Sequence, residues 1–98
     1  PTMDDYEIIE QYADYRIVQK KYNGIPCTFR HDYFDNSVRI KFDDNFARCN
    51  GYRNIKDMFT KNPDMKQSIL AANLGIIPDW ILITPDMGFV ILDKTKLN

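Results

Sequence analysis

Histidine is almost missing from this chain and cysteine is scarce: one His and two Cys occur among 98 residues. His31, Cys27 and Cys49 form no CxxC and do not supply the four ligands of a structural zinc site. Two cysteines are also too few for the framework of a small secreted, disulfide-rich domain. No apolar run approaches the ~18–20 residues that cross a bilayer. Nothing resembles a signal peptide. Glycine is sparse too, standing singly at positions 24, 51, 75 and 88, so no GxGxxG or GxxxxGK[ST] loop exists to cradle phosphates. Together these absences point to a cytoplasmic chain with no cofactor, no metal and no membrane segment.

A catalytic centre lacks parts as well. A nucleophilic Cys27 or Cys49 would need His31 as its base, because no second histidine exists. That pairing stays open beside the plainer reading of both as buried structural cysteines. Asp43-Asp44 looks like an acidic metal pair, but it stands where a helix needs a cap and has no partner carboxylate. The expectation is a protein that is not an enzyme.

What the chain does contain is core material and unevenly spread charge. Thirteen aromatic residues supply bulk for one domain spanning residues 1–98. The formal net charge is −1, yet residues 1–14 hold five acids and no base. Over residues 15–98, 13 Lys and Arg face nine Asp and Glu, an excess of +4. That excess permits contact with phosphates without demanding it.

The stretch Val38–Lys61 organises the rest. Val38, Ile40 and Phe42 alternate with Arg39 and Lys41, the period of a half-buried strand. Asp43-Asp44-Asn45 then caps a short helix through Cys49, and Asn50-Gly51 stops it. Asn54 caps a second helix over 55–61, closed by Asn62-Pro63. A strand feeding two short helices across a Gly-containing turn reads as a helix-turn-helix-like unit. Phe46, Tyr52, Ile55, Met58 and Phe59 hold it down, leaving Arg48, Arg53, Lys56 and Lys61 to face outwards.

Around that unit, Asp4-Asp5 and the spacing of Tyr6, Ile9, Tyr12 and Ala13 predict an acidic amphipathic helix over residues 4–13, within an N-terminal segment 1–14. It would serve as a packing element, or as an oligomerisation arm through Tyr6, Ile9 and Tyr12. Asn23-Gly24 between alternating runs predicts a β-hairpin, with Pro26 delaying the second strand or putting it at an edge. Residues 32–37 form a turn. Lys20, Lys21, Arg30, Arg39 and Lys41 either make one sheet edge basic or stand as solvated strand faces. Asp64 caps a third helix over 65–73 with Met65, Ile69, Leu70 and Leu74 on one face, and Gly75 takes the C′ position. Trp80–Ile83 reads as a buried strand. Residues 84–92 are either the rest of a hairpin or, with Thr84 as cap and Pro85 at N1, the start of a helix. The expected fold is α+β: a small antiparallel sheet, made of the N-terminal hairpin, a third strand and a C-terminal hairpin, packed on short helices. The ending LDKTKLN suggests a fragment of a longer chain.

With KYNGIPCTFR, FARCNGYRNIKDM and ITPDMGFVIL in this order, residues 21–92 resemble the KilA-N/BRO-N superfamily of phage DNA-binding domains. KYNGIPCTFR followed by VRIKFDDNFARCNGYRNIKDMF is similar to that family's hairpin, short helix ending in Gly-Tyr, Asn and second helix. Asn50 stands where leucine is usual. ITPDMGFVIL looks like the closing strand and turn of BRO-type domains. The resemblance implies a DNA-binding regulator of a phage or mobile element, often an antirepressor. Arg48, Arg53, Lys56 and Lys61 would then contact double-stranded DNA, with Asn50 and Asn54 able to read adenine. Capping and turn roles explain both asparagines without DNA. The alternative function is a protein–protein interaction module, antirepressor-like or an assembly component, with no DNA contact.

Overall fold

The computed structural model describes residues 6–83. The elements run β1 (Tyr6–Gln11), β2 (Tyr15–Tyr22), β3 (Ile25–Asp32), β4 (Val38–Lys41), α1 (Asp44–Cys49), α2 (Ile55–Lys61), α3 (Pro63–Ala72) and β5 (Trp80–Leu82). The strands form one antiparallel sheet in the order β1-β2-β3-β4-β5. The three helices are inserted between β4 and β5. The fold is α+β, and the helical insertion is carried on the sheet as the sequence implied.

Asn23 and Gly24 both adopt positive φ, which lets a two-residue turn join β2 to β3 with Tyr22 paired to Ile25. Pro26 lies inside β3 and pairs with Lys21. Because β4 pairs only with Phe29, Arg30 and His31, the missing proline N–H interrupts no ladder on that side.

Alternation then sorts the two faces. Val18, Cys27, Phe29, Val38 and Ile40 form a buried layer with Phe42, Phe46, Ala47 and Met58 from the helical segment. Arg30 and Arg39, directly opposite each other, occupy the other face and share Asp32, with N–O distances of 3.0 Å each. Lys20 lies instead on the helix-bearing face, over the rings of Tyr6 and Tyr22. The five strand cations therefore do not build one basic edge.

Several expectations are corrected. Residues 6–11 are a strand, not the acidic helix over 4–13; residues 4 and 5 lie outside the described part. The cause is a β-bulge: β1 shifts register against β2 between Ile8 and Glu10. One extra residue in a strand breaks the period of two, so Tyr6, Ile9 and Tyr12 mimic helical spacing. A lone ten-residue helix is also marginal, whereas pairing with β2 satisfies the backbone groups facing it.

The third helix starts one residue before Asp64. Asn62 takes the cap position without a side-chain cap bond, and Pro63 occupies N1, where its missing N–H costs nothing. Its end differs too. Leu74, not Gly75, takes the left-handed C′ position at φ 57°, and the Gly75 N–H closes on the Leu70 carbonyl at 2.7 Å. That backbone turn throws the Leu74 side chain off the apolar face, leaving it 93% exposed. Met65 and Ile69 do pack on the core.

Finally, Trp80–Ile83 is not uniformly buried. Among the described residues β5 pairs on one side only, with β4. Trp80 and Ile81 are half-buried and Leu82 is exposed, while Ile83 closes the core and donates to the Val38 carbonyl. Residues 84–92, hairpin or helix start, lie outside the described part.

Cys27 in β3 and Cys49 at the end of α1 are joined as a disulfide, their Cα atoms 7.5 Å apart. Cys27 is buried and Cys49 half-buried, and neither is paired with His31. No helix of the described residues is long and apolar enough to cross a membrane.

Candidate nucleic-acid interface

The α1–α2 unit is built by side chains that cap backbone groups. Asp43 Oδ1 accepts from the Phe46 N–H at 3.0 Å and begins α1. Asp44 Oδ1 accepts from the Ile55 N–H at 3.1 Å, tying the start of α1 to the start of α2. At the turn, Asn50 is the C-cap of α1, its Nδ2 donating to the Phe46 carbonyl at 2.8 Å. Gly51 follows at φ 91°, a conformation that strains side-chain-bearing residues. Asn54 Oδ1 accepts from the Asp57 N–H at 2.8 Å and caps α2. Phe46 and Met58 anchor the two helices in the core, as their spacing implied.

Asp57 is the least expected residue of the site. It is 7% exposed, yet it carries a charge. Its carboxylate accepts from the Arg53 N–H at 3.0 Å and pairs with Arg53 Nη2 and Lys61 Nζ, each at 3.3 Å. Asp57 and Lys61 stand at i and i+4 on one face of α2, and Arg53, which precedes the N-cap Asn54, meets Asp57 from the turn before the helix. The Arg53 and Lys61 side chains remain 84% and 60% exposed. Sequence reasoning missed Asp57 because an acid between two bases reads as a surface charge. The i, i+4 spacing on both sides was the available signal.

The Arg53 backbone bond, aided by the Arg53 and Lys61 cations, holds the Asp57 carboxyl below its ordinary value. The unfolded chain therefore takes up the proton first as the pH falls. Stabilisation by ionised Asp57 is complete above the ordinary carboxyl range of about 4 and is lost as the pH drops through the lower folded value. Thermal midpoints measured from pH 7 to 2 should show a lower neutral plateau and a shallower acid limb for Asp57→Asn. Part of the limb should persist, since Asp35 is likewise held low, by Ser37.

The cations named from the sequence divide into three places. Arg53 and Lys61 share Asp57. Lys56 is exposed on the neighbouring face of α2, beside a groove that also includes Lys66. Arg48 is exposed on α1, its Nη1 donating to Asn45 Oδ1 at 2.9 Å. Asn50 and Asn54 both spend a side-chain group on capping. Lys66, on α3, was not among the expected residues.

His31 is buried and engaged at both ring nitrogens: Nδ1 accepts from Arg16 Nε at 3.2 Å and Nε2 donates to Asn36 at 2.7 Å. Among the described residues no cluster of three or more His, Cys, Asp and Glu could hold a metal ion.

Compared with protein-family models, curated proteins and solved structures, the chain matches none of them.

Proposed function

We propose that the chain is a DNA-binding regulatory module of the KilA-N/BRO-N kind, contacting duplex DNA through α1, α2 and the turn between them. The observation that carries this reading is the Arg53–Asp57–Lys61 ridge. A buried carboxylate holds two exposed cations, one just before α2 and one at its end, where wholly solvated cations would lose more side-chain entropy on meeting a phosphate. Arg48 on α1 and Lys56 on α2 are further exposed cations of the same two-helix unit. Between residues 44 and 66 five cations stand against three acids, so the helical segment is locally positive within an acidic chain. The cations supply phosphate contacts, and the guanidinium groups of Arg48 and Arg53 are able to pair bidentately with a guanine edge.

The test is fluorescence anisotropy of a labelled 20-base-pair duplex with the Arg53→Ala, Lys56→Ala double variant. Binding should weaken by about 1–3 kcal/mol, with only a modest fall in the melting midpoint, because Asp57 loses the Arg53 guanidinium but keeps the Arg53 N–H and Lys61. A folded variant that binds as the parent does would remove these residues from the interface.

A second reading, a protein-interaction module without DNA contact, is favoured by the exposed aliphatic residues Ile8, Ile9, Leu74, Ile76 and Ile77. Absence of duplex binding at low salt would select it.

A further inference from the structure

Leu74 combines two features that the fold does not need. It holds a left-handed backbone at φ 57°, where glycine or asparagine is the ordinary residue, and its side chain is 93% exposed. It is not among the side chains packed on the core. Asparagine would serve the turn better and expose no apolar surface, so leucine here has to be explained by something outside the fold. Gly75 follows at φ 79°, and Ile76 and Ile77 are exposed after it. The turn between α3 and β5 is therefore an apolar tip, with three exposed aliphatic side chains within four residues.

Ile77 joins this tip to a groove of about 500 Å³, which it lines with Ile55, Lys56, Phe59, Thr60 and Lys66. The charged residues of the groove are two exposed lysines, and no acid lines it among the described residues. Asp79, two residues beyond Ile77, lines a separate cavity with Arg30 and Arg39. Protruding aliphatic groups beside long cationic ones suit an interfacial anchor. The aliphatic groups enter the acyl boundary, while lysine stems run along it and set their ammonium groups at the phosphates. A protein partner would have to supply a hollow shaped for Leu74, whereas acyl chains accommodate any protruding apolar shape.

We propose that the turn between α3 and β5 docks on the surface of an anionic lipid bilayer, with Leu74 and Ile76 inserted and Lys56 and Lys66 on lipid phosphates. The contact is peripheral. Its apolar and charged parts are each weak alone and hold only together. The proposal does not rest on the duplex contact, although Lys56 is common to both surfaces.

Co-sedimentation of the whole chain with vesicles tests it, using phosphatidylcholine mixed with phosphatidylserine, or phosphatidylcholine alone, at low salt. The parent should bind the mixed vesicles about tenfold or more tighter than the neutral ones, since each lysine near an anionic surface is worth about fivefold. Leu74→Asn with Ile76→Ser should weaken that binding about tenfold or more, asparagine being chosen because it accepts the left-handed backbone. Lys66→Glu should weaken it about fivefold or more. Circular dichroism checks that each variant folds. The proposal fails if the parent leaves the mixed vesicles unbound, which would give the tip to a protein partner, or if it binds neutral vesicles as tightly. It also fails if either folded variant binds as the parent does. Neither variant touches Arg48, Arg53, Lys56 or Lys61, so duplex anisotropy on the same samples keeps failure here apart from failure of the DNA-binding reading.

Discussion

Replacing Phe46 by alanine is expected to cost about 3–5 kcal/mol, enough to leave a large fraction of molecules unfolded under mild conditions. Phe46 is 1% exposed and sits in the first turns of α1, where it meets Phe42 at a centroid distance of 5.3 Å. It belongs to the layer that joins the helices to β2, β3 and β4, so its removal opens a cavity between sheet and helix rather than at a rim. The surrounding strands are fixed by their ladders and cannot collapse into that space. A domain of this size has about 5–15 kcal/mol of total stability, so the loss is a sizeable share. Urea titration gives the measurement. Phe34→Ala is the control: its side chain is 99% exposed, and its removal should change stability by less than about 0.5 kcal/mol.

Duplex binding should fall steeply with salt. Each phosphate neutralised adds about −0.9 to the slope of log affinity against log salt. If Arg48, Arg53, Lys56 and Lys61 each neutralise one, the slope is about −3.6, a loss of roughly 150-fold between 50 and 200 mM. Arg53 and Lys61 are already partly neutralised by Asp57, however, and surrender less counterion when they meet DNA. If they contribute nothing, Arg48 and Lys56 alone give about −1.8, roughly a twelvefold loss. Anisotropy at four or five salt concentrations separates these limits. A slope near zero would remove phosphate contact altogether and leave the interaction-module reading.

Sequence and structure agree where short-range physics is decisive. The β2–β3 turn, the caps at Asp43 and Asn54 and the stop at Asn50-Gly51 were all legible. Each depends on a residue type whose backbone or side chain does one job within four positions. β1 was not legible as a strand, because a bulge beside Ile9 disguised its period and its partner lies across a turn. The partial exposure of β5 was hidden for a related reason: an apolar run looks alike at the centre and at the edge of a sheet.

The candidate site divides the same way. Arg48, Arg53, Lys56 and Lys61 are exposed, as expected of cations on amphipathic helices. That Asp57 is buried and gathers Arg53 and Lys61, while Lys56 turns towards Lys66 and a groove, depends on how α2 lies on the core and against α3.

By itself, then, the sequence determined the α+β class, the hairpin and the capped helical unit, because propensity, turn chemistry and capping act locally. Tertiary structure decided the pairing of β1, the joining of Cys27 to Cys49, the burial of Asp57 and the orientation of each cation. The Cys27–Cys49 link joins residues distant along the chain, and the others depend on a bulge or on which face a packed element buries, which local spacing hints at without deciding.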